Sequence, residues 1–296
     1  MKFNVSIIII GYNSLNTLKQ LLPSLGSLNT QNVNLEIVYI DDGSKDNSID
    51  FFKSYSLKHK KICYQFSKNK GRVHATAMGI EQANGDWYLF VQSNMILDSQ
   101  MLQHYIKGIT LNAKKLIFAG SIRYESLDKT LQKYLNSKGR GINAYKEYQG
   151  IHFSHLLFGN CIIHSSIFKK IKLNLKVSLY GGEELDFAFR VVQHFPNIMI
   201  ACPKSIVTRI QYPNLYQHCT RLEEYGEYNF HILSPILQKE VIKYHNLIAN
   251  IPGIYYLVLI LYKLCLAIYK AGLRSDIIMK LVFGFAILKG YYKGIK

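Results

Sequence analysis

Three carboxylates that follow a glycine pair are the clearest chemical feature of this chain. The glycines at 181–182 precede Glu183, Glu184 and Asp186, and apolar residues continue behind them at helical spacing. This order predicts a tight turn that brings the carboxylates to the first turn of a helix. A carboxylate held there could accept a proton from a substrate hydroxyl. The alternative is a structural role, because acidic side chains offset the helix dipole and Asp186 could pair with Arg190.

Buried strands are expected to position these side chains. Residues 3–10 form a nearly continuous β-branched run, a helix is expected over about 17–28, and residues 35–40 read as a second strand. This alternation predicts a parallel α/β sheet, whose ligands sit beyond the carboxyl ends of its strands. Tyr12 and Asp42 follow two such ends, so they should face one crevice.

Further segments extend the predicted sheet. Strands are expected at 63–66, 87–91, 116–120 and 198–202. Arg72 follows a glycine turn at the start of a predicted helix. Free backbone amides and a guanidinium group both attract anions at such a position, so Arg72 could help to cradle a diphosphate.

The order and distances of several segments resemble the inverting nucleotide-sugar glycosyltransferases of family 2. The segments are residues 5–13, 36–48, 69–72 and 85–90, together with the acidic stretch, and the resemblance covers roughly residues 4–210. It implies the GT-A fold, an α/β architecture with a Rossmann-like, mostly parallel sheet. It also implies transfer of a sugar from a nucleotide diphosphate sugar to a hydroxyl of a cell-envelope glycan or lipid-linked saccharide.

The resemblance assigns roles to individual residues. Glu184 aligns with the catalytic base, and Glu183 and Asp186 would orient it or bind acceptor hydroxyls. The nucleotide base would donate a hydrogen bond to Asp42. The residues expected to bind the donor are Tyr12, Asp41, Asp42, Arg72, Gln92, Asn94 and Arg209, and those expected to bind the acceptor are Gly159, Asn160 and Gly182.

The metal-binding motif of such enzymes is replaced in this chain. Relatives carry Asp-x-Asp, which binds Mg²⁺ or Mn²⁺ on the diphosphate, whereas residues 92–94 here are Gln-Ser-Asn. Neutral amides coordinate hard divalent ions weakly, so no tightly held metal is expected and Asn94 would be a weak ligand at most. We hypothesise that Arg209, with Arg72 and Lys204, neutralises the diphosphate instead.

Two alternatives follow from the same replacement. One is a non-catalytic nucleotide-sugar-binding protein that has lost its metal motif. The other is a metal-dependent transferase whose ion is held by Asn94, Asp98 and the substrate phosphates.

Charge and cysteine content narrow the partners and the compartment. The 36 Lys and Arg residues outnumber the 19 Asp and Glu residues, giving a formal charge of +17 that favours phosphorylated substrates or an anionic membrane. No nucleic-acid-binding motif is present, so nucleic acid is not an expected partner. The five cysteines form no CxxC pair, and residues 7–10 are too short for a signal peptide. Both observations predict a cytoplasmic location.

The sequence changes character after residue 212. Residues 254–262 are strongly apolar but too few to span a bilayer, and Lys263, Lys270 and Arg274 share one helical face. This pattern favours helices that lie in a membrane interface, with a helical cap or a dimer contact as the alternative. We therefore expect a peripheral protein on the inner face of the cell membrane. Its expected regions are a nucleotide-sugar-binding half (1–115), an acceptor-binding and catalytic half (116–212) and a helical, membrane-associating extension (213–296).

Overall fold

One mixed β-sheet forms the centre of the computed structural model, which describes residues 2–177, 179–242, 253–273 and 275–295. Its strands are β1 (Phe3–Gly11), β2 (Val33–Asp41), β3 (Lys60–Gln65), β4 (Trp87–Gln92), β5 (Met95–Leu97), β6 (Ile117–Tyr124), β7 (Asn160–His164) and β8 (Met199–Arg209). Their order across the sheet is β3-β2-β1-β4-β7-β6-β8-β5. The first four strands in this order are mutually parallel, and β7 and β5 run antiparallel to their neighbours.

Helices cover both faces of the sheet and form a separate layer late in the chain. They are α1 (Leu15–Gly26), α2 (Ser48–Ser54), α3 (Arg72–Gln82), α4 (Met101–Leu111), α5 (Lys129–Leu135), α6 (Ser166–Lys170), α7 (Glu183–His194), α8 (Leu215–Glu224), α9 (Pro235–Val241), α10 (Ile254–Lys270) and α11 (Asp276–Gly294). A π-helical turn, Tyr225–Asn229, continues α8.

The apolar run of β1 explains the two-sided core. Ile7 and Ile9 point to one face of the sheet and Ile8 to the other, and all three are fully buried. A strand buried on both faces reads as a continuous apolar segment, which is why the sequence identified it. The core therefore fixes the carboxyl ends of β1, β2 and β4 at one edge.

The helices at the end of the chain pack through glycines. A Cβ atom on Gly290 of α11 would lie 1.9 Å from the carbonyl oxygen of Glu223 in α8. A Cβ atom on Gly226 would lie 2.1 Å from the carbonyl oxygen of Ile287. Lys289 of α11 also forms an ion pair with Glu223 at 2.6 Å. The position of α8 is thus set by α11.

Two sequence expectations need correction. The stretch 124–149 showed no periodicity, yet it contains α5, which is too short for a periodic pattern and is capped by the Asp128 carboxylate. The strand predicted at 198–202 continues to Arg209. Gly120 pairs with Cys202 but Ser121 pairs with Ile206, so Pro203 lies in a bulge and needs no pairing partner. Helix α10 carries the apolar run at 254–262 together with Lys263 and Lys270, as the helical pattern predicted.

The expectations about the membrane concern α10 and α11. None of the helices within the described ranges combines the length and the apolar composition needed to cross a bilayer. Arg274, which was predicted to share a face with Lys263 and Lys270, lies outside the described residues, as do residues 243–252.

Candidate active site

A cleft of about 530 Å³ lies at the carboxyl ends of β1, β2 and β4, where the sequence placed the crevice. The side of the cleft away from these strand ends comes from β8 and α8. The lining residues are Ile10, Gly11, Tyr12, Asn13, Ser14, Thr17, Asp42, Asn69, Arg72, Gln92, Ser93, Asn94, Leu179, Tyr180, Arg209, Gln211, Arg221 and Glu224. Six of the seven residues predicted to bind the donor are therefore brought together.

The seventh, Asp41, is buried below the cleft. Its carboxylate accepts hydrogen bonds from the Ser44 amide at 2.7 Å and the Tyr39 hydroxyl at 3.3 Å. These bonds shape the turn after β2. Asp41 thus acts on the loop, and the side chain that reaches the cleft is that of Asp42.

Asp42 ties the loop after β2 to the loop before α3. Its two carboxylate oxygens accept hydrogen bonds from the amides of Lys70 and Gly71, at 2.8 and 3.0 Å. Burial raises the pKa of the Asp42 carboxyl, while these two amides oppose the rise. The residue therefore fixes the turn that presents Arg72 at the start of α3.

An ion-pair cluster joins α3 to α7. Arg72 contacts both carboxylates at the start of α7, with its Nη2 atom bonded to Glu183 Oε1 and 3.7 Å from Glu184 Oε2. Gly182 precedes them with φ of 92°, a left-handed conformation that glycine adopts readily. The glycine turn and the helix start predicted from the sequence are both present.

The three acidic side chains of α7 have different surroundings. Glu183 is 2% exposed, and burial raises its pKa to about 7 although Arg72 opposes the rise. Asp186 is also buried and is bonded to Arg190 at 2.7 Å, the structural role considered from the sequence. Glu184 retains 12% exposure and accepts a hydrogen bond from the Phe158 amide at 2.9 Å. Glu184 is thus the most exposed of the three carboxylates on α7, and none of the three is among the residues that line the cleft.

Three arginines near His218 have no carboxylate partner among the described residues; Arg209 and Arg221 line the cleft, and Arg140 lies outside its lining. Among the described residues, no ion pair involves Arg140, Arg209 or Arg221. Each instead lies over a tyrosine ring, at 4.2, 5.0 and 5.6 Å from the ring centroid. Together with burial, their charges lower the pKa of His218 to about 4. The group offers positive charge to an anion.

Sequence reasoning found Arg209 but missed Arg221 and Glu224. Both missed residues lie on α8, in the region that was interpreted as an appendage. No local pattern signals their role, since the packing of α11 places them at the cleft. Lys204, which was grouped with Arg209, is exposed and does not line the cleft.

The residues at the former metal motif do not fit a divalent cation. Asn94 Oδ1 is buried without a hydrogen-bond partner, but it is a neutral oxygen. Asp98, its proposed companion, is exposed and does not line the cleft. No metal-binding group of three His, Cys, Asp or Glu side chains occurs within the described parts of the chain. The three guanidinium groups that line the cleft, those of Arg72, Arg209 and Arg221, would also repel a cation.

The residues predicted to bind the acceptor lie where backbone segments pack closely, and they mainly stabilise that packing. Asn160 donates hydrogen bonds to the carbonyls of Ser121 and Ser205, both at 2.8 Å, and accepts one from the Tyr105 hydroxyl at 2.7 Å. A Cβ atom on Gly159 would lie 3.0 Å from Met95. Asn160 also borders a second pocket, of about 380 Å³.

Comparisons with known sequences agree with this arrangement. Residues 6–172, more than half of the chain, match the pattern that defines Glycosyl transferase family 2. An uncharacterized glycosyltransferase of Rickettsia typhi is 29% identical over 195 residues, which are 64% of this chain and 58% of that protein. The chain thus spans little more than half of this relative's length.

Two solved structures share the fold. TarS 1–349 of S. aureus, in complex with UDP, has a TM-score of 0.62 at 15% identity, covering 100% of this chain and 92% of the other. The mannosyltransferase PcManGT of Pyrobaculum calidifontis, in complex with GDP-Man and Mn²⁺, has a TM-score of 0.65 at 12% identity, covering 98% and 87%. These likenesses confirm the α/β, GT-A-like fold.

Proposed function

Because the chain belongs to glycosyl transferase family 2, we propose that it transfers a sugar from a nucleotide diphosphate sugar to an acceptor hydroxyl. The acceptor class we propose is a cell-envelope glycan or a lipid-linked saccharide, and the reaction inverts the anomeric carbon. The observation that carries this proposal is the cleft, which is lined by Asp42, by Arg209 and Arg221 without ion-pair partners among the described residues, and by Arg72. Arg72 also contacts the carboxylates of Glu183 and Glu184 at the start of α7. The donor-binding half is 1–115, the acceptor-binding and catalytic half is 116–212, and the helices of 213–296 complete the cleft.

Glu184 is the proposed general base. It needs access to the acceptor hydroxyl, and it is the least buried of the three carboxylates on α7. Its bonds to the Phe158 amide and its proximity to Arg72 hold the side chain in place. Glu183 and Asp186 are positioning residues in this proposal, acting through Arg72 and Arg190.

Arg209 and Arg221 are proposed to neutralise the departing diphosphate. Both line the cleft, and neither is paired with a carboxylate within the described residues. Fixed positive charges aimed at the leaving group stabilise the charge that develops in the transition state. In this reaction the guanidinium groups act in place of a divalent ion.

The first test is thermal unfolding with nucleoside diphosphates and nucleotide sugars, each with Mn²⁺ or with a chelator. We expect one nucleotide to raise the midpoint in chelator, since ligand at about 100 times its Kd adds roughly 2.7 kcal/mol. Arg209→Gln and Arg221→Gln should reduce this shift, whereas the exposed control Arg123→Gln should not. No shift with any nucleotide would instead favour a non-catalytic protein, and a shift only with Mn²⁺ would favour metal dependence.

The second test concerns the base. Glu184→Gln should bind the nucleotide found in the first test normally and lose transfer roughly 10²-fold or more. Release of the nucleoside diphosphate from the sugar nucleotide is the readout, with Glu81→Gln on the exposed end of α3 as the control. Normal turnover by Glu184→Gln would reassign the base to Glu183 or Asp186.

We also propose that α10 and α11 contact an anionic membrane on its cytoplasmic face. Ile260, Leu264 and Ile277 are 61%, 53% and 69% exposed, and Lys263 borders the first two. Apolar side chains flanked by lysines suit the interface of an anionic bilayer. Lys270 contributes less, because it lies over the ring of Tyr216.

Vesicle sedimentation tests this contact. Vesicles containing phosphatidylglycerol should bind the protein, and Ile260→Ser with Leu264→Ser should release it. The control is Leu111→Ser with Leu127→Ser, two leucines outside these helices that are 62% and 98% exposed. Equal loss in both pairs, or equal binding to neutral vesicles, would refute the proposal.

A further inference from the structure

A second pocket, of about 380 Å³, lies between the sheet and the late helices. Its walls come from the end of β6, from α5 and the segment after it, from residues 154–157, and from Lys280 of α11. The polar and charged side chains of the lining on which binding would depend are Arg140, Asn143, Ser154, His155 and Lys280. No residue in this lining is acidic, and two are permanent cations.

Neither cation is neutralised within the described residues. Arg140 lies over the ring of Tyr134, 4.2 Å from its centroid, which orients the guanidinium without satisfying its charge. Lys280 forms no ion pair, even with Asp276 one turn earlier on α11. The carboxylate of Asp128, which caps α5, is occupied by the Tyr269 hydroxyl at 2.7 Å. The positive charge of the pocket is therefore available to a ligand.

The pocket adjoins the proposed base. Leu157 lines it, and the next residue, Phe158, donates its amide hydrogen to Glu184 Oε1. Tyr124 also lines it and is the β6 partner of Arg209, which lines the donor cleft. The pocket lining is thus one residue from the amide that holds Glu184, and it includes the strand partner of Arg209.

Polar groups without charge complete the lining. Asn143 and Ser154 offer hydrogen-bonding side chains of the kind that bind sugar hydroxyls. His155 accepts or donates a bond with the Tyr145 hydroxyl at 2.7 Å, and burial lowers its pKa. A lowered pKa disfavours the charged form of His155, and the two basic side chains of the lining are Arg140 and Lys280.

We propose that this pocket binds an anionic group, a phosphate or a carboxylate, on the acceptor saccharide. The proposal rests on the proposed function and extends it by naming the acceptor's charge. The planar guanidinium of Arg140 can donate two parallel hydrogen bonds to either a phosphate or a carboxylate. Lys280 supplies a second positive charge in the pocket. No sequence pattern indicated this site, since Arg140 lies in the stretch without periodicity.

The test is titration of the full chain with three matched sugars, glucose 6-phosphate, glucuronic acid and glucose, followed by ligand-observed NMR. We expect either anion to bind about tenfold more tightly than glucose, or better, because charge-assisted hydrogen bonds stabilise only the anions. Comparing glucose 6-phosphate with glucuronic acid distinguishes the phosphate from the carboxylate. The double variant Arg140→Gln, Lys280→Gln should bind all three sugars alike.

Matched variants separate the pocket from general charge effects. Arg123→Gln with Lys107→Gln removes the same net charge from exposed positions and should leave anion binding unchanged. Equal binding of glucose and the anions would overturn the proposal, and so would equal loss in the control pair. Loss caused by Arg209→Gln rather than by the pocket pair would place the anion in the donor cleft, which also overturns it.

The proposed function is tested apart from this pocket. Thermal shifts with nucleotides report only on the donor cleft, and the pocket pair should leave them unchanged. If the chain binds no nucleotide but binds the anionic sugars more tightly than glucose, the proposed function is refuted and the anion pocket is supported.

Discussion

The close contact between α8 and α11 makes Gly290→Ala a sharp test of how the cleft is built. The added Cβ would lie 1.9 Å from the Glu223 carbonyl oxygen, whereas ordinary contact begins at 3.4 Å. The two helices must therefore separate by about 1.5 Å. A change of rotamer cannot relieve this clash, because one atom is a Cβ atom and the other is a backbone oxygen.

The matched control lies on the same helix. A Cβ atom on Gly284 would meet no atom within 4 Å, so Gly284→Ala gains only the higher helix propensity of alanine. Gly290→Ala gains the same propensity and pays for overpacking, which typically costs roughly 1–3 kcal/mol. We expect the unfolding midpoint of Gly290→Ala to lie roughly 2–12 °C below that of Gly284→Ala.

A second readout connects this contact to function. Displacement of α8 moves Arg221 and Glu224 away from the cleft, so Gly290→Ala should also show a smaller nucleotide-induced thermal shift. Gly284→Ala should show the wild-type shift. If the two variants were equally stable and bound nucleotide equally, α11 would not set the position of α8, and our account of the cleft wall would be refuted.

Two further predictions address charge in the cleft. Burial raises the pKa of Glu183 from 4.5 to about 7, so the folded chain holds this proton more tightly than the unfolded chain. Its stabilising contribution is present below about pH 4.5 and is lost as the pH rises through about 7. The unfolding free energy of the wild type, relative to Glu183→Gln, should therefore fall over that range in denaturant titrations, and parallel curves would contradict the raised pKa. Gln92→Asp with Asn94→Asp restores two carboxylates at the cleft, so Mn²⁺ should raise its unfolding midpoint by several degrees at about 100 times its Kd. An unchanged midpoint with Mn²⁺ would show that these positions do not form a cation site.

The sequence was sufficient where a local pattern reports burial. The β-branched run of β1 and the glycine pair before Glu183 each carry their structure within a few residues, and both were predicted correctly. The resemblance also predicted the family, which is confirmed by the match over residues 6–172. It identified the loops after β1 and β2 as the place of the cleft, because these loops belong to the segments that carry the resemblance.

The sequence was insufficient where packing decides a side chain's role. Asp41 and Asp42 are adjacent and chemically identical, yet one is buried under the turn and the other reaches the cleft. Arg140 and Arg221 have no local signal, since distant helices place them. Such assignments depend on contacts between residues far apart in the chain.

The contact between α8 and α11 also has a consequence during synthesis. Lys289 and Glu223 are 66 residues apart, so the helix that carries Arg221 leaves the ribosome well before its partner exists. At about 5–20 residues per second, this interval lasts roughly 3 to 13 s. During that time Leu215 and Cys219, which pack with Met279 and Val282 in the finished fold, have no apolar partner on α11. The growing chain thus passes through a stage in which the sheet can form, but the wall of the cleft that carries Arg221 is not yet held in place and apolar residues of α8 are still uncovered.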